Sequence, residues 1–205
     1  MKVVAVSQRV DFFTEREETR DGLDQRLNAF LQLAGFLPVQ VPNNLFTETS
    51  QGSHSFYSLD EWFKSINPFA VVLSGGNDIG QSLSRDLTES WLLDRASKYS
   101  LPVLGICRGM QMMASWSGSS LRKTELHVGM RHRVLGQIEG EVNSFHNYVL
   151  DDCPKDFEVL AVSEDGEIEA IRHIQMPWEG WMWHPEREKK FSERDLKRIE
   201  WLFNA

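Results

Sequence analysis

Residues 101–113 read LPVLGICRGMQMM, and this stretch decides how the chain is organised. The apolar start at residues 103–104 predicts a buried strand, and residues 110–114 favour a helix, so residues 105–109 form the turn between them. Their G-x-C-x-G spacing is the cysteine form of a nucleophile elbow, a strained strand-to-helix turn with a reactive side chain at its apex. Cys107 would lie at the helix N-terminus, where backbone N–H groups favour the thiolate. The competing interpretation is a buried structural cysteine in an ordinary turn.

Strands and helices alternate in the first half of the chain. Strands are predicted at residues 2–6, 37–41, 69–73 and 101–106, and helices at residues 20–34, 59–65, 86–97 and 110–114. Apolar strands that alternate with helices predict an α/β fold with a parallel, doubly wound sheet. Ligands bind such sheets beyond the carboxyl ends of the strands, where Arg9, Cys107 and the Gly75-Gly76 loop would lie.

The second half of the chain predicts a small antiparallel extension of this fold. Strands are expected at residues 142–149, 157–163, 168–173 and 178–184, followed by a helix at residues 193–203. An Asp165-Gly166 turn links two of these strands. Because no repeat, linker or low-complexity tract interrupts the chain, we expect a single domain over residues 1–205.

Composition limits the classes of function. The chain has 205 residues, of which 41% are hydrophobic and 25% charged, as in an ordinary globular protein. Its net charge of -8 argues against a nucleic acid polymer as partner. Two cysteines without a C-x-x-C pattern indicate a reducing compartment, and the sequence shows neither a signal peptide nor a membrane span. We therefore expect a cytoplasmic protein with no membrane partner.

His184-Pro185-Glu186 supplies what a cysteine nucleophile needs, a base and a group that orients the base. Residues two apart in an extended segment point to the same side, so Glu186 would hold the imidazole of His184 towards Cys107. The alternative is a strand-end histidine beside a turn proline.

Ser74-Gly75-Gly76 directly follows a predicted buried strand and could expose backbone N–H groups. Acyl transfer needs such donors for the developing oxyanion, and the N–H of the residue after the nucleophile is the natural second donor. Gly75, Gly76 and Arg108 are therefore the predicted oxyanion hole.

In this order, the Ser74-Gly75-Gly76 loop, residues 105–111 (GICRGMQ) and His184-Pro185-Glu186 resemble the class I glutamine amidotransferases, and most closely their stand-alone γ-glutamyl hydrolase branch. The resemblance implies a flavodoxin-like, mostly parallel sheet with flanking helices. It also implies hydrolysis of a γ-glutamyl amide through a γ-glutamyl thioester, with Cys107 as nucleophile, His184 as general base and acid, and Glu186 as the orienting group. No cofactor is implied.

The resemblance also implies which residues bind the substrate. Gln111 matches the family glutamine that holds the glutamyl part, and residues 142–146 (VNSFH) match a V-N-S-x-H stretch that lines the same pocket. Three residues of that stretch are therefore candidates: Ser144, Phe145 and His146.

Arginines are candidates for binding an anionic leaving group, because guanidinium groups suit phosphate. They are Arg9, Arg131 and Arg133, with His132 between the last two. The alternative is that Arg131 and Arg133 are solvated strand residues. The six histidines show no H-E-x-x-H or cysteine-rich pattern, so no catalytic metal is expected.

The leaving group is predicted from finer resemblance. The SQRVDF opening, the RDGLDQR segment and the compact length are similar to a subgroup found with capsule and surface-sugar genes, which implies hydrolysis of γ-glutamyl-CDP-amidate. Alternatives are hydrolysis of γ-glutamyl-γ-aminobutyrate in polyamine breakdown, and a glutaminase subunit that supplies ammonia to a synthetase partner. A non-enzymatic binding module is disfavoured by the intact triad. A homodimer is left open.

Overall fold

The computed structural model describes residues 1–204, whose main element is a nine-stranded sheet. The strands are β1 (Lys2–Val6), β2 (Arg9–Phe13), β3 (Glu18–Gly22), β4 (Phe36–Gln40), β5 (Thr47–Glu48), β6 (His54–Ser55), β7 (Ala70–Leu73), β8 (Val103–Ile106), β9 (Leu121–Lys123), β10 (Val128–Gly136), β11 (Gly140–Phe145), β12 (Tyr148–Leu150), β13 (Phe157–Ser163), β14 (Ile168–His173) and β15 (Trp178–Trp181). The helices are α1 (Gln25–Leu33), α2 (Tyr57–Ile66), α3 (Leu83–Tyr99), α4 (Arg108–Trp116) and α5 (Glu193–Asn204).

The large sheet has the strand order β11-β10-β13-β14-β15-β8-β7-β1-β4. The strands from β15 to β4 are mutually parallel, and the other four continue the same sheet as antiparallel neighbours. The predicted α/β fold, a mostly parallel doubly wound sheet with an antiparallel extension, is confirmed. The carboxyl ends of β7, β8 and β15 meet at one edge, which receives the loops that carry the candidate site residues.

Helices cover both faces of the parallel strands because successive strand side chains point to opposite sides. Val4 packs in one cluster with Phe30 of α1 and Phe203 of α5. Its neighbour Ala5 packs in a second cluster with Trp91 of α3. The strands β1, β7 and β8 are therefore apolar on both faces.

The N-terminal segment differs from its prediction. The helix expected at residues 20–34 begins only at Gln25, where the Asp24 side chain accepts a hydrogen bond from the Arg26 backbone N–H at 2.9 Å. Residues 18–22 instead form β3, which pairs with β2 in an antiparallel hairpin. The capping aspartate sets the start of the helix, and strand pairing satisfies the backbone before it.

The second half contains a long strand that the sequence analysis missed. In β10 only His132 and Val134 are buried, so the strand lacks the apolar run by which strands were recognised. The single strand expected at residues 142–149 is divided into β11 and β12, which belong to different sheets.

Within residues 1–204, no helix is long and apolar enough to cross a membrane. The single domain over residues 1–205 stays a prediction, and residue 205 lies outside the described residues.

Candidate active site

Cys107 lies at the junction of β8 and α4 in a backbone conformation that is rare for a side-chain-bearing residue. Its φ is 51° and its ψ is -105°, in the left-handed half of conformational space. Its backbone N–H donates to the carbonyl of Trp181 at 2.7 Å, which secures the turn to β15. Strained backbone of this kind persists only where surrounding contacts enforce it, and it clusters at functional sites.

The two glycines of the elbow are required by close packing. A Cβ on Gly109 would lie 2.2 Å from the carbonyl oxygen of Leu73, and a Cβ on Gly105 would lie 2.7 Å from the carbonyl atoms of Gly109. Any side chain at these positions would push α4 away from β7 and β8. The G-x-C-x-G spacing is therefore what allows the helix to start directly behind Cys107.

His184 and Glu186 are brought together as predicted, although by a different backbone conformation. Glu186 Oε1 lies 2.7 Å from Nδ1 of His184, and both side chains are buried. The residues after His184 form a 3-10 turn, Pro185–Arg187, rather than the extended segment assumed from the sequence. Asn143 fixes the histidine backbone, since its amide donates to the His184 carbonyl at 2.8 Å and accepts from the His184 N–H at 2.9 Å.

The imidazole of His184 interacts with Cys107, and the two residues line the same small pocket. Burial alone would lower the pKa of His184, but the charge of the Cys107 thiolate and the contact with Glu186 together raise it to about 9. The imidazolium form of His184 is therefore favoured at neutral pH. It holds a proton for the leaving group beside the candidate nucleophile.

The predicted oxyanion donors divide into two groups. Gly76 and Arg108 line the small pocket with Cys107, and Arg108 is the first residue of α4, where backbone N–H groups have no intrahelical acceptor. Gly75 instead lies beneath the His184 ring, because a Cβ placed on it would be only 2.5 Å from Cε1. The geometry supports Gly76 and Arg108 as donors and gives Gly75 a packing role.

A buried network of charged side chains holds the Ser74–Gly76 loop. This network was not predicted from the sequence. The Arg85 guanidinium donates to the carbonyl oxygens of Ser74 and Gly75 at 2.6 and 3.0 Å. Glu89 Oε1 accepts from Arg85 Nε at 2.9 Å and from Ser7 Oγ at 2.7 Å, and Glu89 also pairs with Arg108. An Arg and a Glu four residues apart are ordinary on an exposed helix face, so only the tertiary structure shows their burial.

The small pocket has a volume of about 100 Å³. It is lined by Gly76, Asp78, Cys107, Arg108, Gln111, Phe145, His146, Asn147, His184 and Arg187. Gln111 donates its amide N–H to the Tyr148 carbonyl at 3.0 Å, which leaves its carbonyl oxygen free to accept. The Phe145 ring lies edge-on to His184 with a centroid distance of 5.9 Å. Both residues are therefore placed where the sequence analysis expected them.

A larger cavity of about 360 Å³ adjoins the small pocket and shares Gly76, His184 and Arg187 with it. Arg9 lines this cavity as predicted, although its guanidinium already pairs with Asp11 at 2.8 Å. Arg187 was not predicted, although it directly follows the His184-Pro185-Glu186 motif. Its guanidinium lies 3.9 Å from the Glu186 carboxylate, so Arg187 is less tightly paired than Arg9.

Three predicted binding residues have their side chains engaged elsewhere, and a fourth is exposed on a strand. The buried Ser144 hydroxyl donates to the His127 carbonyl, and the His146 ring points from the pocket wall towards Glu169. Arg131 pairs with Glu188 at 2.8 Å. Arg133 is exposed on β10 opposite Glu141. Ser144, Arg131 and Arg133 line neither cavity, so the alternative of solvated strand residues describes both arginines.

Comparison with known proteins identifies relatives at the level of sequence. Residues 39–200 match the sequence model of the family described as glutamine amidotransferase class-I. A gamma-glutamyl-CDP-amidate hydrolase of Campylobacter jejuni is 37% identical over 140 residues, which cover 65% of this chain and 69% of that protein. One subunit of a glutamine-hydrolyzing GMP synthase of Pyrococcus abyssi is 26% identical over 148 residues, covering 67% of this chain and 77% of that protein.

A solved structure supports the fold. A candidate GMP synthase subunit from Thermoplasma acidophilum superimposes with a TM-score of 0.72 at 24% identity, covering 100% of this chain and 94% of that chain. At this identity the likeness concerns the fold alone.

Proposed function

The chain belongs to the glutamine amidotransferase class-I family, and from that premise we propose that it hydrolyses a γ-glutamyl amide through a thioester on Cys107. Its enzymatic class is that of hydrolases acting on amide C–N bonds. The observation that carries the proposal is the meeting of a strained, buried cysteine with the His184–Glu186 pair in one pocket.

Each residue then has a defined role in the reaction. The Cys107 thiolate attacks the γ-carbonyl carbon, and the N–H groups of Gly76 and Arg108 stabilise the oxyanion. His184 gives its proton to the departing nitrogen, so that the C–N bond breaks and a thioester remains. His184 then takes a proton from water, whose oxygen attacks the thioester and releases glutamate. Glu186 keeps the imidazole oriented through both steps.

We propose γ-glutamyl-CDP-amidate as the substrate, cleaved to glutamate and cytidine diphosphoramidate. The named relative in Campylobacter jejuni supports this choice. The arrangement of two adjoining cavities also supports it, since the small pocket suits the glutamyl part and the 360 Å³ cavity shares Gly76, His184 and Arg187 with it. That volume falls within the roughly 300–1,000 Å³ of ordinary ligand sites. Arg187, at the junction, would contact the diphosphate.

A cytidine nucleotide intermediate also implies a cellular setting. Under this proposal the enzyme works in the cytoplasm, and its product serves capsule or surface-polysaccharide synthesis.

The first experiment compares glutamate release from γ-glutamyl-CDP-amidate, γ-glutamyl-γ-aminobutyrate and free glutamine. We expect the nucleotide amidate to be strongly preferred. Cys107→Ala should abolish release, and Cys153→Ala is the matched control, because Cys153 lines neither cavity. Unchanged release by Cys107→Ala would refute the site, whereas equal rates on all three substrates would refute only the choice of leaving group.

Arg187 provides a test of the leaving-group site. Arg187→Ala should raise the KM for γ-glutamyl-CDP-amidate about tenfold, as loss of a charge-assisted hydrogen bond does. Arg131→Ala is the control, because Arg131 lies outside both cavities and pairs with Glu188. Equal effects of the two substitutions would argue against diphosphate binding at Arg187.

A second candidate is a glutaminase subunit that feeds ammonia to a synthetase. The likeness to individual subunits of glutamine-hydrolyzing GMP synthases favours it. This function predicts weak glutaminase activity of the chain alone and a large increase when the synthetase partner is added.

A further inference from the structure

Four buried side chains from distant parts of the sequence converge behind the wall of the small pocket. His127 precedes β10, His132 lies in β10, His146 follows β11 and Glu169 lies in β14. Their exposed fractions are 2%, 8%, 2% and 0%. None of the steps derived above for amide hydrolysis uses these rings as a group, so their convergence needs a separate explanation.

The ring nitrogens of the three histidines meet at one oxygen of Glu169. Glu169 Oε1 lies 3.3 Å from His127 Nδ1, 3.4 Å from His132 Nε2 and 3.4 Å from His146 Nε2. Ligand atoms of His127, His132 and Glu169 also lie within 4.8 Å of one another. Tetrahedral zinc with bonds of 2.0–2.1 Å has ligand-to-ligand edges of about 3.3–3.4 Å. The three edges that meet at Oε1 therefore have the length expected across such an ion.

These atoms lie at ion-pair distances from Glu169, yet none of the contacts has the geometry of a hydrogen bond. The inward nitrogen of each of the three rings and both Glu169 oxygens are buried without a hydrogen-bond partner among the described residues. Buried polar atoms in native proteins are almost always partnered, so a cluster without partners points to a missing ligand. A cation between the atoms would satisfy several of them at once.

Groups outside the cluster set the tautomers that metal binding requires. His127 Nε2 lies 3.0 Å from the Asp165 carboxylate, and His146 Nδ1 lies 3.0 Å from the Tyr148 carbonyl oxygen. Both outer groups accept a hydrogen bond, so each ring donates its N–H outward and turns a lone pair inward. Metal-binding histidines are commonly oriented by such carboxylate and carbonyl acceptors.

We propose that His127, His132, His146 and Glu169 bind a divalent transition metal ion, with zinc as the best fit. Ligand atoms of His127, His132 and Glu169 already lie close enough to share one ion. His146, whose Nε2 is 3.4 Å from Glu169 Oε1, would complete a closed set of three imidazoles and one carboxylate, as in structural zinc sites. The carboxylates of Glu169 and Asp165 balance the two charges of the ion. The ion is thus structural and takes no part in amide hydrolysis.

The position of this zinc site explains what the ion does. It joins the β10–β11 hairpin to β14, and His146 stands between Phe145 and Asn147, which both line the small pocket. Bound metal would therefore fix the pocket wall that faces Cys107.

Metal content tests the proposal directly on the untagged full chain. After incubation with Zn²⁺ and desalting, we expect about one zinc per chain in the wild type, as for a closed four-ligand site. His132→Ala should retain much less, and His54→Ala, which alters a histidine remote from the cluster, should retain the wild-type amount. A zinc content below about 0.1 per chain in the wild type, or equal contents in wild type and His132→Ala, would overturn the proposal.

Two further measurements separate this site from other causes. Cys107→Ala should keep its zinc, and loss of zinc there with retention in His132→Ala would place the ion at the catalytic thiol and refute the proposal. If His132→Ala fails to fold, Co²⁺ is added to metal-free wild-type protein. The visible spectrum of tetrahedral Co²⁺, abolished by one equivalent of Zn²⁺, supports the site, and an octahedral spectrum refutes it.

Discussion

Replacement of Glu89 by Gln tests whether the buried charge network holds the active-site loop. The Glu89 and Arg85 side chains are fully buried and that of Arg108 is 1% exposed, so water cannot compensate a lost charge. Glu89 accepts hydrogen bonds from Arg85 and Ser7 and forms an ion pair with Arg108. In Glu89→Gln, Asp86 is the carboxylate that remains beside the Arg85 and Arg108 guanidinium groups. The new amide N–H₂ group of Gln would also face the N–H donor of an arginine.

The size of the effect follows from the burial of these groups. Breaking one member of a buried ion pair costs about 3–5 kcal/mol because the partner charge stays buried and unpaired. For a domain of this length, 1 kcal/mol changes the Tm by about 2–4 °C, so the expected fall is roughly 6–20 °C. Because Arg85 holds the carbonyls of Ser74 and Gly75, kcat should also fall more than KM changes.

The assay combines urea unfolding with steady-state glutamate release. Glu61→Gln is the matched control, since Glu61 pairs with Lys64 on the surface of α2 and its side chain is 49% exposed. We expect this control to be indistinguishable from wild type. A fall in the free energy of unfolding of less than about 1 kcal/mol in Glu89→Gln would show that the buried guanidinium charges do not depend on Glu89 for compensation.

Three further predictions concern the elbow and the histidine. Because His184 must be protonated to release the leaving nitrogen and its pKa is raised to about 9, kcat/KM should fall as the pH rises through that value. Glu186→Gln should move this fall to lower pH, and an unmoved profile would show that Glu186 does not act on the imidazole. Gly109→Ala should lower the Tm or prevent folding, because its Cβ would lie 2.2 Å from the Leu73 carbonyl oxygen, and a Tm equal to wild type would contradict that contact. Asn143→Ala should lower kcat about tenfold or more at nearly constant KM, since it releases the backbone of His184. Steady-state kinetics in which only KM changes would contradict this prediction.

The elbow and the order of strands and helices were predictable because they depend on short-range patterns. Two glycines around Cys107 specify a tight turn, and apolar runs that alternate with amphipathic segments specify a doubly wound sheet. His184 and Glu186 were also predictable, since only Pro185 separates them and their chemistry matches a cysteine nucleophile. The predicted extended backbone was wrong, but the 3-10 turn brings the same two groups together.

Binding residues were predicted less well because side-chain direction depends on distant partners. Ser144 points to the interior because side chains alternate along β11, which pairs with β10. Arg131 forms an ion pair with Glu188 and lines neither cavity. Arg187 adjoins the catalytic motif in sequence, yet only the folded chain shows that it lines both cavities.

The fold class, the candidate nucleophile Cys107 and its candidate base His184 follow from the sequence alone, because each depends on residues that are close in the chain or on a periodic pattern. The tertiary structure alone decided which charges are buried. The spacing of Arg85 and Glu89 is that of an exposed helical ion pair, but both side chains are fully buried in the folded chain. His127 contacts Glu169 because β10 and β14 belong to the same sheet. Burial and convergence are properties of long-range packing, so no local pattern encodes the charge network or the proposed zinc site.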